Sequence, residues 1–219
     1  MLKIIMNANV HMSVAAATTT TVLLVTGHTD PKLLTTGLVC SMLGSIVPDV
    51  DANDESKFKN MFKKFMSVFI IILIAFGFYA YNNHITVSDA IRYILNCQWL
   101  TGGLIFIVLC LIGYFSSHRT FTHWLIAIPM FSLGFYMMFG KIPTIFFAIG
   151  MLSHLIIDLL NKKEQKLFFP IPIDCCLYVC ESDSGLSNLI GVSAFCLTVF
   201  EIYKTYGEQI VLFLYNIST

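Results

Sequence analysis

The sequence is short of charge. Only 12% of its 219 residues are Asp, Glu, Lys or Arg, about half of the roughly 25% usual in soluble domains. Neither sign is in surplus, with 13 basic residues against 13 acidic. This excludes the basic footprint that neutralises a run of phosphates, and so argues against a nucleic-acid partner. Seven cysteines, an odd count without regular spacing, exclude a disulfide framework. Those inside apolar runs behave as small hydrophobes, and the trio Cys175, Cys176 and Cys180 reads as reduced loop thiols before it reads as a metal site. The chain also lacks a Gly-rich phosphate loop, a dinucleotide glycine pattern, a His-Glu-x-x-His zincin motif and a Gly-x-Ser-x-Gly nucleophile elbow. Lys3 before a diffuse apolar region makes a poor signal peptide. No internal repeat or separate soluble domain is visible.

What is abundant is apolar side chain: 57% hydrophobic residues, 19 Phe and a mean hydropathy of +0.78. A water-soluble fold of this size has too little interior to hide it, so the expected solvent is lipid. The fold class follows as all-α, a polytopic transmembrane helical bundle forming a single integral-membrane domain over 1–219. Apolar runs at about 10–27, 33–48, 66–81, 94–115, 122–140, 143–160 and 187–203 give six or seven spans. Several are near the lower limit of about 17 residues for crossing the hydrocarbon layer, which fits short, tilted or partly re-entrant helices. The first is the weakest, because Thr18–Thr21 is β-branched and polar, although those hydroxyls can bond back to the preceding turn. Residues 206–219 are too short in apolar length to span and are expected at the interface.

With seven spans, the N-terminus and the loops 49–65, 116–121 and 161–186 share one side. That side carries Lys3, Lys57, Lys59, Lys63, Lys64, Arg119, Lys162, Lys163 and Lys166, against Lys32, Arg92, Lys141 and Lys204 on the other. The bias marks the first side as cytoplasmic, which for a bacterial inner membrane puts the N-terminus in the cytoplasm and the C-terminus in the periplasm. In the 161–186 loop, Pro170 and Pro172 follow Phe168 and Phe169 and enforce extended geometry. Two readings fit it, a cover over a membrane-surface site and an interfacial loop anchored by phenylalanines.

Four polar groups stand out from this background: His11, Pro48-Asp49-Val50-Asp51, His118-Arg119-Thr120-Phe121-Thr122-His123, and His154-Leu155-Ile156-Ile157-Asp158. The same topology places all four at the cytoplasmic ends of their helices or in the joining loops. His154 and Asp158 are four apart, so they share one helix face, and an aspartate there is costly unless it meets a cation or metal. A His–Asp hydrogen bond joining two helices is the simpler reading. Asp49 and Asp51 can direct two carboxylates to metal, water or a neighbouring histidine, or can end a helix in an acidic loop. His118 and His123 supply neutral nitrogen ligands, and Arg119 makes bidentate contacts to phosphate or carboxylate, in a substrate or in a lipid headgroup. Thr122 orients a ligand or caps the next helix. His28 and His84 fall on the opposite side and do not read as ligands.

In this order, Pro48-Asp49-Val50-Asp51, His118-Arg119-x-x-Thr122-His123 and His154-Leu155-x-x-Asp158 resemble the membrane-bound metal-dependent hydrolase family, the YdjM-like, LexA-regulated inner-membrane proteins. The resemblance runs over about residues 11–172 and includes His11 and the Leu167-to-Pro170 segment. Members commonly have histidine directly after Asp-x-Asp, where this chain has Ala52, and a Ser- or Thr-rich approach to the last segment, where it has Asn161. The His-x-x-x-Asp element is similar to that of zinc-dependent phospholipase C enzymes, which implies hydrolysis at phosphorus.

The function expected is a metal-dependent phosphoesterase acting on a phospholipid or lipid-phosphate headgroup at the cytoplasmic membrane face. His11, Asp49, Asp51, His118, His123, His154 and Asp158 are the candidate metal ligands, and mixed nitrogen and carboxylate donors suit zinc first and manganese second. Asp51 is the candidate base that orients water or takes its proton, and Arg119 the candidate stabiliser of phosphoryl oxygens. Two rivals use the same residues. A metal or ion transporter needs a binding group near the midplane with access from both faces, and a catalytically silent scaffold uses metal only to lock helices together.

Overall fold

A computed structural model describes residues 8–51, 95–168, 171, 173–181 and 184–218, with isolated positions 86, 88 and 92. The regular elements among the described residues are all helical. Among the described residues there are α1 (Ala8–Val25), α2 (Pro31–Ile46), α3 (Gln98–Phe115), α4 (Ala127–Phe139), α5 (Lys141–Leu159) and α6 (Gly185–Ser218), with short 3-10 turns at Val47–Asp51 and Phe121–His123. Among the described residues, five segments are long and apolar enough to cross a membrane: Ala8–Val25, Pro31–Asp51, Gln98–Phe115, Lys141–Leu159 and Gly185–Gly207. The six or seven spans expected are therefore met in part. The run at 122–140 folds as the 13-residue α4, only about 20 Å long at 1.5 Å per residue, and the run at 66–81 lies outside the described residues, as do His84, Ala52, Phe169, Pro170 and Pro172. Residues 206–218 continue α6, which is unbroken over 34 residues, beyond the spanning segment Gly185–Gly207.

Helix limits follow local chemistry. Gly27, at φ 73°, ends α1 in the left-handed conformation that glycine adopts without a Cβ clash. Pro31 then opens α2 at the position where its missing N–H costs nothing, and the Asp30 carboxylate accepts from the Lys32 amide at 3.0 Å. Gly140, at φ 81°, closes α4 with its amide donating to Tyr136 O at 2.8 Å.

By contacts the chain falls into two compact units. The first comprises 1–46, 145–164 and 176–219, and the second 47–144 and 165–175. In the first, α1 packs against α2 and α6. The α2 face that is buried is small: Gly37, Cys40, Ser41, Gly44 and Ser45. A Cβ on Gly44 would stand 2.1 Å from Phe147 O, and one on Gly150 would stand 1.9 Å from Ser41 O. Two glycines thus let α2 and α5 meet backbone to backbone, the close approach that small residues permit between helices in lipid. Val10, Ile157 and Cys180 form a buried cluster with Val14, Leu160 and Ile190 around it. The threonines of α1 bond back as expected, Thr18 to Val14 O at 2.8 Å and Thr20 to Ala17 O at 3.0 Å.

In the second unit, α3 and α4 cross just as closely. A Cβ on Gly102 would stand 2.6 Å from Gly134 O. Phe106 meets Phe131 edge to face at 5.4 Å. Gly113 on α3 serves the polar turns, because a Cβ there would lie 2.5 Å from the Thr122 methyl and 2.8 Å from Val50.

Candidate functional site

The first unit holds His11, His154 and Asp158. His11 sits in the first turns of α1, while His154 and Asp158 share the inward face near the end of α5. All are buried, at 1%, 0% and 2% exposure. His11 Nε2 is 3.6 Å from Asp158 Oδ1, and His154 Nε2 is 3.8 Å from Asp158 Oδ2. The two imidazole rings stack at 3.9 Å with 18° between their planes.

His154 Nδ1 lies 2.6 Å from the Ser45 carbonyl oxygen. A carbonyl only accepts, so Nδ1 carries a hydrogen, and in the neutral imidazole the Nε2 lone pair is directed towards Asp158. A lone pair and a carboxylate face each other comfortably only with a positive charge between them. A metal ion fits this set on its chemistry: two imidazoles and one carboxylate are a known catalytic zinc complement, and nitrogen and oxygen ligands at their usual 2.0–2.2 Å stand about 3.3 Å apart around a tetrahedral ion. Imidazole held by a backbone carbonyl is the usual outer support of such ligands.

The second unit gathers Asp51, His118, Arg119, Thr122 and His123 around the two 3-10 turns. Asp51 is 3% exposed, and its carboxylate is crowded with donors. Oδ1 accepts from His118 Nδ1 at 2.8 Å, and Oδ2 accepts from the Arg119 amide at 3.0 Å and from the Thr122 hydroxyl at 2.5 Å. His123 Nδ1 lies 3.1 Å from Thr122 Oγ1 and 3.4 Å from Asp51 Oδ2. Since the Thr122 hydrogen goes to Asp51, its oxygen accepts from His123, and both histidines keep Nε2 as the ligand atom. Asp51, which the sequence offered as a metal ligand and as a base, thus accepts from His118 and lies beside His123. Asp49 is buried on the same turn, two residues earlier.

Arg119 takes φ 64°, one of two described non-glycine residues in the left-handed region. That strain is held from both sides, by its amide on Asp51 and by its carbonyl, which accepts from the Lys166 amide at 3.1 Å. The Leu125 amide likewise donates to Leu167 O at 3.1 Å, so the start of the long loop is pinned to the Arg119 turn. Gln165, fully buried, belongs to this arrangement and was not singled out by sequence. A polar residue in a charged loop carries no signal that it folds inward.

Cysteine takes no part: among the described residues, the side-chain groups close enough to hold a metal contain histidine and aspartate only, and every described cysteine is a free thiol. Burial pushes the Cys180 thiol up from its ordinary range, and the Asp158 charge adds to this against a smaller opposite effect of Lys162. His28 is exposed at the end of α1, away from these groups along the helix.

A family model described as YdjM inner membrane protein matches residues 6–218. No curated protein and no solved structure matches the chain.

Proposed function

From the premise that the chain belongs to the YdjM inner membrane protein family, and is an integral inner-membrane protein, we propose that it is a membrane-embedded metal-dependent hydrolase, a phosphoesterase of phospholipid or lipid-phosphate headgroups. The observation that carries this reading is the His154 hydrogen bond to Ser45 O, which turns one imidazole lone pair towards Asp158 beside His11.

In this reading His11, His154 and Asp158 are the metal ligands of the first unit, and Asp49, His118 and His123 are the candidate ligands of the second. Zinc suits the donors best and manganese next. When bound, the ion supplies Lewis-acid charge for cleavage at phosphorus. The chain's own groups do the rest. Asp51 accepts the Nδ1 hydrogens of His118 and, through Thr122, of His123, and so fixes which nitrogen each presents. His118 has a side chain 24% exposed, so its Nε2 side is open to solvent. Arg119, buried in a turn that holds its backbone rigid, pairs with phosphoryl oxygens. The apolar exterior of the spans, with Val108, Ile112 and Ile156 among its exposed residues, suits a substrate arriving sideways from the bilayer.

Purified protein assayed on phospholipid and lipid-phosphate panels tests the proposal. Metal-dependent release of headgroup or phosphate, lost in Asp158→Ala and Arg119→Ala, is the expected result. Metal flux into sealed proteoliposomes without hydrolysis would assign the clusters to transport.

A further inference from the structure

In the first unit a groove of about 320 Å³ runs between α1 and α6, a volume within the range of small-molecule sites. The two helices lie side by side and point the same way. A Cβ on Gly191 would stand 3.0 Å from Val10, and Thr21, eleven residues further along α1, bonds the Glu201 carboxyl, ten residues further along α6. Gly191 keeps the floor of the groove low, because no side chain rises there over Val10. Both walls belong to segments long and apolar enough to span, Ala8–Val25 and Gly185–Gly207, so whatever fills the groove is met within the bilayer.

The lining changes character with depth. Asn9 and Asn188 stand at the start of the two spans, and Ser13 follows one turn further in. Val192 and Phe195, both exposed, line the deeper part. Phe195 is ten residues past Gly185, about 15 Å of helix and half of a hydrocarbon layer about 30 Å thick. Among the described residues, no partner meets the side chains of Asn9, Ser13 or Asn188. Polar side chains on the lipid-facing side of a span are costly unless something bonds them. Two amides and a hydroxyl offer donor hydrogens to acceptors such as ester carbonyls. No charged side chain lines the groove, so it takes the neutral part of an amphiphile and leaves a charged headgroup outside.

We propose that this groove binds one membrane glycerolipid, its ester-linked glycerol backbone held by Asn9, Ser13 and Asn188 and one acyl chain laid along Val192 and Phe195. Polar groups at the membrane surface and apolar ones beneath them match such a molecule in order. The held lipid lies along α1, the helix that carries His11, and the site stands whether or not the histidine cluster acts on lipid.

The test uses the full-length protein, stripped of lipid in detergent and then given a phosphatidylethanolamine with two ester-linked chains or its diether analogue, which lacks the carbonyl acceptors. Native mass spectrometry reads the retained lipid and the oligomeric state together. One diester lipid per chain is expected, with the diether retained about fivefold less. Asn9→Leu combined with Asn188→Leu keeps side-chain size, removes the amides, and should lower diester retention to the diether level. Val192→Trp fills the apolar half and should lower retention of both lipids. Equal retention of diester and diether overturns the proposal, as does diester retention that the double variant leaves unchanged. A wild-type dimer without retained lipid, which the double variant splits, gives the groove to a helix of a second copy and also overturns it.

Discussion

His154 Nδ1 and the Ser45 carbonyl oxygen are 2.6 Å apart, and this contact exists only because α2 and α5 touch through Gly44 and Gly150. The contact decides which nitrogen of His154 faces Asp158. A side chain added at either glycine should break it.

Gly150→Ala places a methyl against the Ser41 carbonyl, where a Cβ would be 1.9 Å away. Backbone cannot yield as a side-chain tip can, so the helices must separate. A loss of about 1–3 kcal/mol is expected, read as a lower melting temperature in detergent, together with weaker metal binding. Unchanged melting would contradict the backbone-to-backbone packing of α2 on α5.

Asp51→Asn keeps the size of the carboxylate and removes its charge and one acceptor. Its three donors at 2.5–3.0 Å can no longer all be satisfied. Loss of such outer support lowers metal affinity by about 10–100-fold, which competition with a chelating dye measures. An affinity equal to wild type would mean that Asp51 does not position the histidines.

Arg119→Gly separates backbone from side chain. At φ 64° glycine is unstrained, so the fold should be as stable or more stable by about 1 kcal/mol. Turnover should fall by about 10²–10³ if the guanidinium stabilises developing charge. Calorimetry and a lipid-phosphate assay on the same sample read the two effects independently.

Cys180 gives a pH-dependent outcome. Burial and the Asp158 charge raise its pKa, so at neutral pH its thiolate fraction is below that of an ordinary cysteine. Alkylation of Cys180, followed by peptide mass spectrometry, should be slow at neutral pH, should begin at a higher pH than for the unfolded chain, and should accelerate on denaturation.

Much of this was legible in the sequence, for definite reasons. The spacing of His154 and Asp158 fixes a shared helix face whatever the tertiary fold, and the Thr18 and Thr20 hydroxyls stand within reach of their own helix carbonyls. The all-helical class follows from apolar runs in a chain with little charge. Other features were not legible. The partner of His154 is a backbone carbonyl, which leaves no trace in residue type. Asp51 reads as a ligand or a base, and its donors come from a turn 67 to 71 residues away that its own neighbours do not announce. Glu201 sits in a run whose average is apolar, and the average conceals it. The span count depended on helix length, and in 122–140 the residues 122–126 are spent on the turn that carries Thr122 and His123 and on the approach to α4.

The central claim is that His11, His154 and Asp158 hold a metal ion. Elemental mass spectrometry of detergent-purified wild type beside His154→Ala and Asp158→Ala tests it most directly. The account predicts near-stoichiometric zinc or manganese in wild type and its loss in both variants. Folded wild type that retains no metal after controlled addition of zinc and manganese would contradict it.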